Sequence, residues 1–481
     1  MKLNDLLNGL DILAATADLD MDISNVSYDS RATRPGDLFV AMTGFAVDGH
    51  AFIGKAAAAG AAVVLCEKVP EEPVPYIQVA DSRRALAVVG ANFFGHPAES
   101  MTMVAVTGTN GKTTTTYLLK SILEQKAGAK VGLIGTNQNM IGEEIIPTER
   151  TTPESFEVQK LFARMRDAGC THVVMETSSH ALVLDRVYGV HYHTAIFTNL
   201  TQDHLDFHKT MEEYCDAKSI LFRNCGVGIY NGDDGWTDRL LREATCRRFS
   251  YGEKDAADLR AEDIELAADH VAFTAVTAEK RVPIRVHIPG GFMVYNTLGV
   301  LGAALSLGIS LEDSADALFR VSHVKGRVEV VPTPGKDYTV LIDYAHSPDG
   351  MENVLSSVKG FAKGRTVALF GCGGDRDKTK RPKMGKVAAD IADFVVVTTD
   401  NPRTEDPKAI IADILPGLAG SDTPHVVVED RILAIHWAMD HALPGDVIVL
   451  CGKGHETYQE INHVKYHMDE REIVADYLKT M

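Results

Sequence analysis

The sequence predicts a three-part α/β protein built on open, mostly parallel sheets. At 481 residues the chain is long for a single hydrophobic core, so two to four domains are expected. Apolar, strand-like runs alternate with helical patterns along most of it, as βαβ units require. Polar, Gly- or Pro-containing turns follow many of those runs. That is where loops lie at the carboxyl edge of a parallel sheet.

Residues 1–98 read as a small α/β unit. LFVA (38–41), AAVVLC (61–66) and YIQV (76–79) are strands; 51–60 and 82–94 are helices. Gly-His-Pro at 95–97 breaks the pattern. A second unit, 99–332, opens on the apolar run MTMVAVT (101–107) and passes through a Gly-containing loop into a helix from Lys112. HVVME (172–176), TAIFTN (194–199) and VGIYN (227–231) continue a parallel sheet. Residues 258–290 alternate apolar and polar with a period near two, which predicts an antiparallel insertion. A helix near 296–307 and GRVEVV (326–331) close the unit. The third unit, 333–481, carries five strand candidates separated by helices, a doubly wound Rossmann-like pattern.

The net charge of −18 argues against nucleic acid or an anionic membrane as a partner. Anionic ligands must then be held by loop amides, a few cations and metal ions. Seven scattered Cys with no C-x-x-C pair suit a reducing cytosol and give neither a disulfide framework nor a zinc site. The N-terminus lacks the pattern of a signal peptide, and no run of about 18 apolar residues predicts a membrane span.

The strongest local signal is Thr107-Gly108-Thr109-Asn110-Gly111-Lys112-Thr113-Thr114, set between an apolar strand and a helix. Glycines let backbone amides approach phosphates, and the helix N-terminus adds positive potential. Lys112 can reach the β/γ phosphates and the Thr113 hydroxyl can ligate Mg²⁺. The general phosphate-loop pattern wants Gly at 106, where this chain has Val106. Glu176 ends a parallel strand, the place for a further Mg²⁺ ligand. Residues 198–208 pack Asp203, His204, Asp206 and His208 into one loop, and Lys218 lies on the helical stretch beyond it. In the third unit, polar turns follow apolar runs at Asp343, at 370–378 with Arg376, at Asp400-Asn401-Pro402-Arg403, and at 451–456 with Gly452 and Glu456. Together they predict a binding site along one sheet edge.

These segments resemble the Mur ligases, the family that builds the peptidoglycan stem peptide. TGTNGKTT, ETSSHAL, TNLTQDHLDFH, YCDAK, GRVE, DYAHSPDG, GCGGDRDKTKRPKMG, DNPRTEDP and GKGHE stand in family order and span essentially the whole chain. SYDSRATRPGDLFVAMTGFAVDGH resembles the family's uridine-binding domain. The resemblance implies a cytoplasmic, monomeric, ATP- and Mg²⁺-dependent ligase that joins meso-diaminopimelate to UDP-N-acetylmuramoyl-L-alanyl-D-glutamate through an acyl phosphate. Tyr28, Ser30, Phe45, Ala46 and Val47 would meet the UDP moiety; Thr151, Thr152, Ser178 and Arg186 the muramoyl dipeptide. Gly108 to Thr114 would bind ATP phosphates, with Asn296, Arg327 and Asp343 near the nucleoside. Thr113 and Glu176 would hold one Mg²⁺, His204 and a carbamylated Lys218 a second. Arg376, Asp400 to Arg403, Gly452 and Glu456 would bind diaminopimelate, with Arg403 gripping its distal carboxylate. The chain departs from the family pattern at Met293, where Asn is frequent, and at Leu184, where some relatives carry Gln. Rival readings are a folylpolyglutamate synthetase, a nucleotide-driven switch that hydrolyses ATP without an acceptor, and a secondary-metabolite ligase on the same scaffold, with which Met293 and Leu184 are compatible.

Overall fold

The computed structural model describes residues 1–480 apart from 45, 46, 149, 255 and 268. Three sheets organise the described residues. The first runs Ile12–Ala15, Tyr76–Val79, Val63–Cys66, Leu38–Val40, Val26–Ser27, parallel except for its first pair. The helix Ser82–Phe94 covers it, started by Asp81, whose carboxylate accepts from the amides of Arg83 and Arg84. Phe156, from a helix of the second unit, completes this core beside Leu86 and Val89.

The second sheet has a parallel centre in the order Arg247–Gly252, Cys225–Asn231, Tyr192–Phe197, Thr102–Thr107, His172–Glu176, Val131–Ile134. Its strands are near-continuous apolar runs because helices cover both faces. The expected antiparallel insertion is present: Val271–Val276 pairs antiparallel with Leu259–Leu266 and with Arg281–Val286. At the other edge, Asn139–Ile141 and Glu144–Ile146 form a short hairpin absent from the sequence expectation. The strand Thr102–Thr107 lies between His172–Glu176 and Tyr192–Phe197. The chain leaves it in one direction for Val131–Ile134 and later returns on its other side at Tyr192–Phe197. That reversal opens a crevice at its carboxyl end, which is where the phosphate loop begins.

The third sheet runs Glu329–Val331, Thr339–Asp343, Val447–Cys451, Thr366–Phe370, Phe394–Val397, His425–Val427. Here one expectation is corrected. GRVEVV was placed at the close of the second unit, but Glu329–Val331 pairs antiparallel with Thr339–Asp343 and is the edge of the third sheet. Only a short connection separates Glu329–Val331 from Thr339–Asp343, which favours their antiparallel pairing. A separate hairpin, Tyr458–Ile461 with Val464–His467, stands beside this sheet.

The third unit contains a fully buried ion pair. Arg431 donates from Nε to Glu470 Oε1 at 2.8 Å and from Nη2 to the Cys451 carbonyl at 2.8 Å. Neither side chain is exposed. Removing one member of such a pair strands the other charge. We expect Arg431→Leu to lower stability by about 3–5 kcal/mol, and Arg431→Leu/Glu470→Leu to recover most of that loss. Urea denaturation of the full chain checks this; an unshifted midpoint for the single variant contradicts it.

Candidate active site

The phosphate loop spans Gly108 to Gly111, between the strand Thr102–Thr107 and the helix Lys112–Lys126. Gly108 has φ +150° and Gly111 φ +84°, and a Cβ at either position would collide, with Thr198 Oγ1 and with Asn296 Oδ1 respectively. The loop is fixed from the neighbouring strand: Thr109 N donates to the Asn199 carbonyl and Asn110 N to Asn199 Oδ1, both at 2.9 Å. Thr198 Oγ1 donates to the Asn110 carbonyl at 2.6 Å.

Two lysines converge on this loop. Lys112 Nζ donates to the Gly108 and Thr109 carbonyls at 2.9 and 2.8 Å. Lys218, 1% exposed, donates from Nζ to the same Gly108 oxygen at 2.9 Å and stands 4.4 Å from the Tyr214 ring centroid. Burial, and then the Lys112 cation, hold the Lys218 amine well below its usual value. Tyr214 is the hub that the sequence reading left without a role. Its hydroxyl lies 3.2 Å from Thr109 Oγ1, and its ring meets His204 edge-on at 6.0 Å. His204 Nε2 lies 3.4 Å from Asp203 Oδ2, and His204 has a left-handed φ of +54°.

Glu176 is fully buried; it accepts from Thr136 N at 2.9 Å and from Thr136 Oγ1 at 2.8 Å. Two of its roughly four lone-pair sites are thereby used, and the others remain for a cation. Thr113 Oγ1 accepts from Arg327 Nη2 at 3.1 Å. A threonine hydroxyl and a carboxylate are hard oxygen donors of the kind that a cation shared with phosphates uses; among the described residues no group of three or more His, Cys, Asp or Glu is placed to hold a metal ion.

The residues expected at the nucleoside come together around the same loop. Asn296 is buried against Gly111, and its Nδ2 faces Met293 Sδ at 3.9 Å. Met293 is itself a fully buried core residue. Asp343 accepts from Val328 N and Ala345 N at 2.9 and 2.8 Å, and burial raises its carboxyl pKa. Asp349 was missed by the sequence reading: it accepts from Asn110 Nδ2 at 2.8 Å and Thr201 Oγ1 at 2.9 Å, joining the third unit to the phosphate loop.

The dipeptide residues connect to Glu176. Thr151 Oγ1 lies 2.9 Å from Thr136 Oγ1; Thr152 Oγ1 donates to the Glu176 carbonyl at 2.9 Å; Ser178 N donates to Thr152 Oγ1 at 3.2 Å. The Ser178 hydroxyl oxygen caps the helix Ser179–Val183. Leu184 is that helix's C-cap, and Arg186 Nη1 reaches the Thr152 carbonyl at 3.2 Å. Glu154, also missed, draws Arg83, Arg150 and Arg186 to within 3.5–3.8 Å of one oxygen. In the first unit, Tyr28 donates to Glu157, Ser30 is partly buried and Val47 is exposed. Phe45 and Ala46 lie outside the described residues.

In the third unit, Lys453, fully buried, donates to Asn401 Oδ1 at 2.5 Å, Glu456 Oε2 at 3.1 Å and the Tyr458 carbonyl at 2.6 Å. Asp400 lies 3.6 Å from the same ammonium. Asn401 Nδ2 also donates to Glu456, and Gly452 N donates to the Asp343 carbonyl. The sequence reading left Arg403 waiting for a substrate carboxylate, but it already has one: Nε donates to Glu460 Oε2 at 3.0 Å and Nη1 to the Gly374 carbonyl at 2.9 Å. Arg376, exposed, donates to the Asp375 carbonyl at 3.0 Å. Lys453 lies inside GKGHE, where the sequence reading gave it no role, and Glu460 lies in no motif; it sits on a hairpin whose turn residues, Asn462 and His463, both have positive φ.

The fold and the loop define an α/β protein with a glycine-containing strand–loop–helix in its central sheet. Three family models match the chain: "Mur ligase family, catalytic domain" over 22–94, "Mur ligase middle domain" over 106–304 and "Mur ligase, glutamate ligase domain" over 326–454. The chain is 46% identical over 485 residues to the UDP-N-acetylmuramoyl-L-alanyl-D-glutamate–2,6-diaminopimelate ligase of Clostridium botulinum, covering 100% of both chains. It is 41% identical to the protein of that name from Listeria monocytogenes, covering 98% of this chain and 97% of the relative. A solved structure of a ligase so named superposes with TM-score 0.73 at 30% identity, covering 100% of this chain and 99% of that one. The chain belongs to the Mur ligase family. A folylpolyglutamate synthase from Mycobacterium tuberculosis shares the fold, with TM-score 0.64 at 18% identity over 77% of this chain and 92% of that one.

Gly111→Ala should weaken ADP binding by at least tenfold, about 1.4 kcal/mol, because the side chain needs both a left-handed φ and the space of Asn296. Calorimetric titration on folded protein checks it; an unchanged dissociation constant contradicts it.

Proposed function

We propose that this chain uses ATP to join meso-diaminopimelate to the D-glutamyl carboxylate of UDP-N-acetylmuramoyl-L-alanyl-D-glutamate. The observation that carries the reading is the convergence of Lys112 and Lys218 on the Gly108 carbonyl. The names of full-length relatives supply the substrates. The N-terminal unit, 1–98, binds the uridine end; the central unit from 99 binds ATP; the third, from about Gly326, where its family match begins, receives the amino acid. No helix among the described residues is long and apolar enough to cross a membrane.

The carboxylate oxygen of the substrate attacks the γ-phosphorus and ADP leaves, giving an acyl phosphate. The free amine of the acceptor then attacks the acyl carbon, and phosphate departs carrying the former carboxylate oxygen as the amine loses a proton. Amides of Gly108 to Thr114 and the N-terminus of Lys112–Lys126 hold the phosphates, and Lys112 offsets their charge. Thr113, Glu176, His204 and a carbamylated Lys218 are the residues that would hold Mg²⁺. When bound, Mg²⁺ supplies charge neutralisation at the transferring phosphoryl group. Lys218 suits carbamylation because burial, and then the Lys112 cation, lower its amine pKa and so favour the neutral form, the one that adds CO₂. Carbamylation would replace repulsion from Lys112 with attraction.

Lys218→Ala should therefore lose at least a hundredfold in rate, and a small carboxylic acid in solution should restore part of it. A free amine found by intact mass in the active, Mg²⁺-loaded protein would refute the carbamate.

For the acceptor, a guanidinium grips a carboxylate that lysine lacks. Because Arg403 keeps Glu460 as partner, lysine would not strand it wholly unpaired, so the low end of the usual 2–5 kcal/mol applies. That predicts a preference in kcat/KM of roughly 30-fold for meso-diaminopimelate over L-lysine. Equal efficiency would hand the site to another amino acid. ATP turnover should require both the nucleotide substrate and the amino acid; rapid hydrolysis with neither would favour the switch reading.

A further inference from the structure

We propose that Glu460 is a specificity-determining positioning residue: it fixes Arg403 side-on so that only the outer edge of the guanidinium faces the acceptor amino acid. The inference rests on the acceptor reading above.

The geometry starts with the backbone. Arg403 has a left-handed φ of +51°, a conformation that bulky residues keep only when their surroundings impose it. The hairpin Tyr458–Ile461 with Val464–His467 imposes it. Arg403 N donates to the Glu460 carbonyl at 3.0 Å, and Asn462 N donates to the Arg403 carbonyl at 2.8 Å. The same strand grips the preceding residues. Glu460 N donates to Asn401 Oδ1 at 2.9 Å, and Gln459 Nε2 donates to the Asp400 carbonyl at 2.8 Å. The Asp400-Asn401-Pro402-Arg403 turn is thus held by a neighbouring strand as well as by Pro402.

The side chain repeats the pattern. A guanidinium offers five N–H donors in a rigid fork. Glu460 takes the Nε–H at 3.0 Å and the Gly374 carbonyl takes one hydrogen of Nη1 at 2.9 Å. Nη2 carries the donors that neither Glu460 nor Gly374 takes, and with Nη1 it makes the end-on edge, which a carboxylate can meet bidentately. Gly373 allows the approach: a Cβ there would stand 3.0 Å from Arg403 Nη1. Both partners are mostly buried, with side-chain exposures of 16% and 19%, so the pair is shielded from competing water. Without Glu460, the fork loses its side-on anchor and can rotate to present any edge. A carboxylate-bearing acceptor would then be bound less tightly and distinguished less well from lysine.

The test compares wild type, Glu460→Ala, Glu460→Gln, Arg403→Ala and the Arg403→Ala/Glu460→Ala double variant, each as full-length protein. KM and kcat are measured for meso-diaminopimelate, L-lysine, ATP and the nucleotide substrate. Glu460→Ala should raise KM for diaminopimelate at least tenfold and cut its advantage over lysine by at least fivefold, with KM for ATP within twofold of wild type. Glu460→Gln keeps an oxygen for the Nε–H and should stay within threefold of wild type. On the Arg403→Ala background, Glu460→Ala should add less than twofold, because it acts through Arg403. An unchanged KM for diaminopimelate in Glu460→Ala, parallel losses for all substrates, or full additivity in the double variant would each overturn the proposal. A wild-type enzyme that does not use diaminopimelate would instead overturn the acceptor reading.

Discussion

Two lysine side chains from different helices donate to one backbone oxygen, that of Gly108, and much of the site follows from the charge this concentrates. Like charges this close in a shielded environment cannot both be stabilised without anions. Burial and the Lys112 cation push the Lys218 amine towards its neutral form. Triphosphate at the loop and a carbamate on Lys218 would answer the same electrostatic demand from two sides. Gly108 and Gly111 make the convergence possible, since a side chain at either would strike Thr198 or Asn296.

The loop is also where the units meet. Asp349 of the third unit accepts from Asn110 and Thr201, and Arg327, leading into the third sheet, donates to Thr113. On the other flank, Phe156 packs into the N-terminal core and Tyr28 donates to Glu157. The proposed nucleotide and dipeptide sites therefore sit at seams. A reactive acyl phosphate needs water kept out, and units contacting each other through the phosphate loop provide walls for that.

What the sequence revealed follows from how local each feature is. The strand, glycine loop and helix of residues 102–126 were readable because they are contiguous. The parallel strands were readable because burial on both faces demands apolar runs. Ile12–Ala15, a largely exposed edge strand, was missed, and Glu329–Val331 was misplaced because nothing within an edge strand shows which sheet it joins. Pairings between distant residues were invisible: Asp349 lies 239 positions from Asn110, and Glu460 lies 57 from Arg403. The family resemblance supplied a role for Arg403 but not the carboxylate that aims it.

The central claim is that the γ-phosphoryl group passes to a carboxylate. The direct measurement labels the D-glutamyl side-chain carboxylate of the nucleotide substrate with ¹⁸O and analyses the phosphate released during amide formation by mass spectrometry. Transfer of one labelled oxygen per turnover into inorganic phosphate is the expected result. Unlabelled phosphate accompanying amide product would contradict the acyl phosphate and the account built on it.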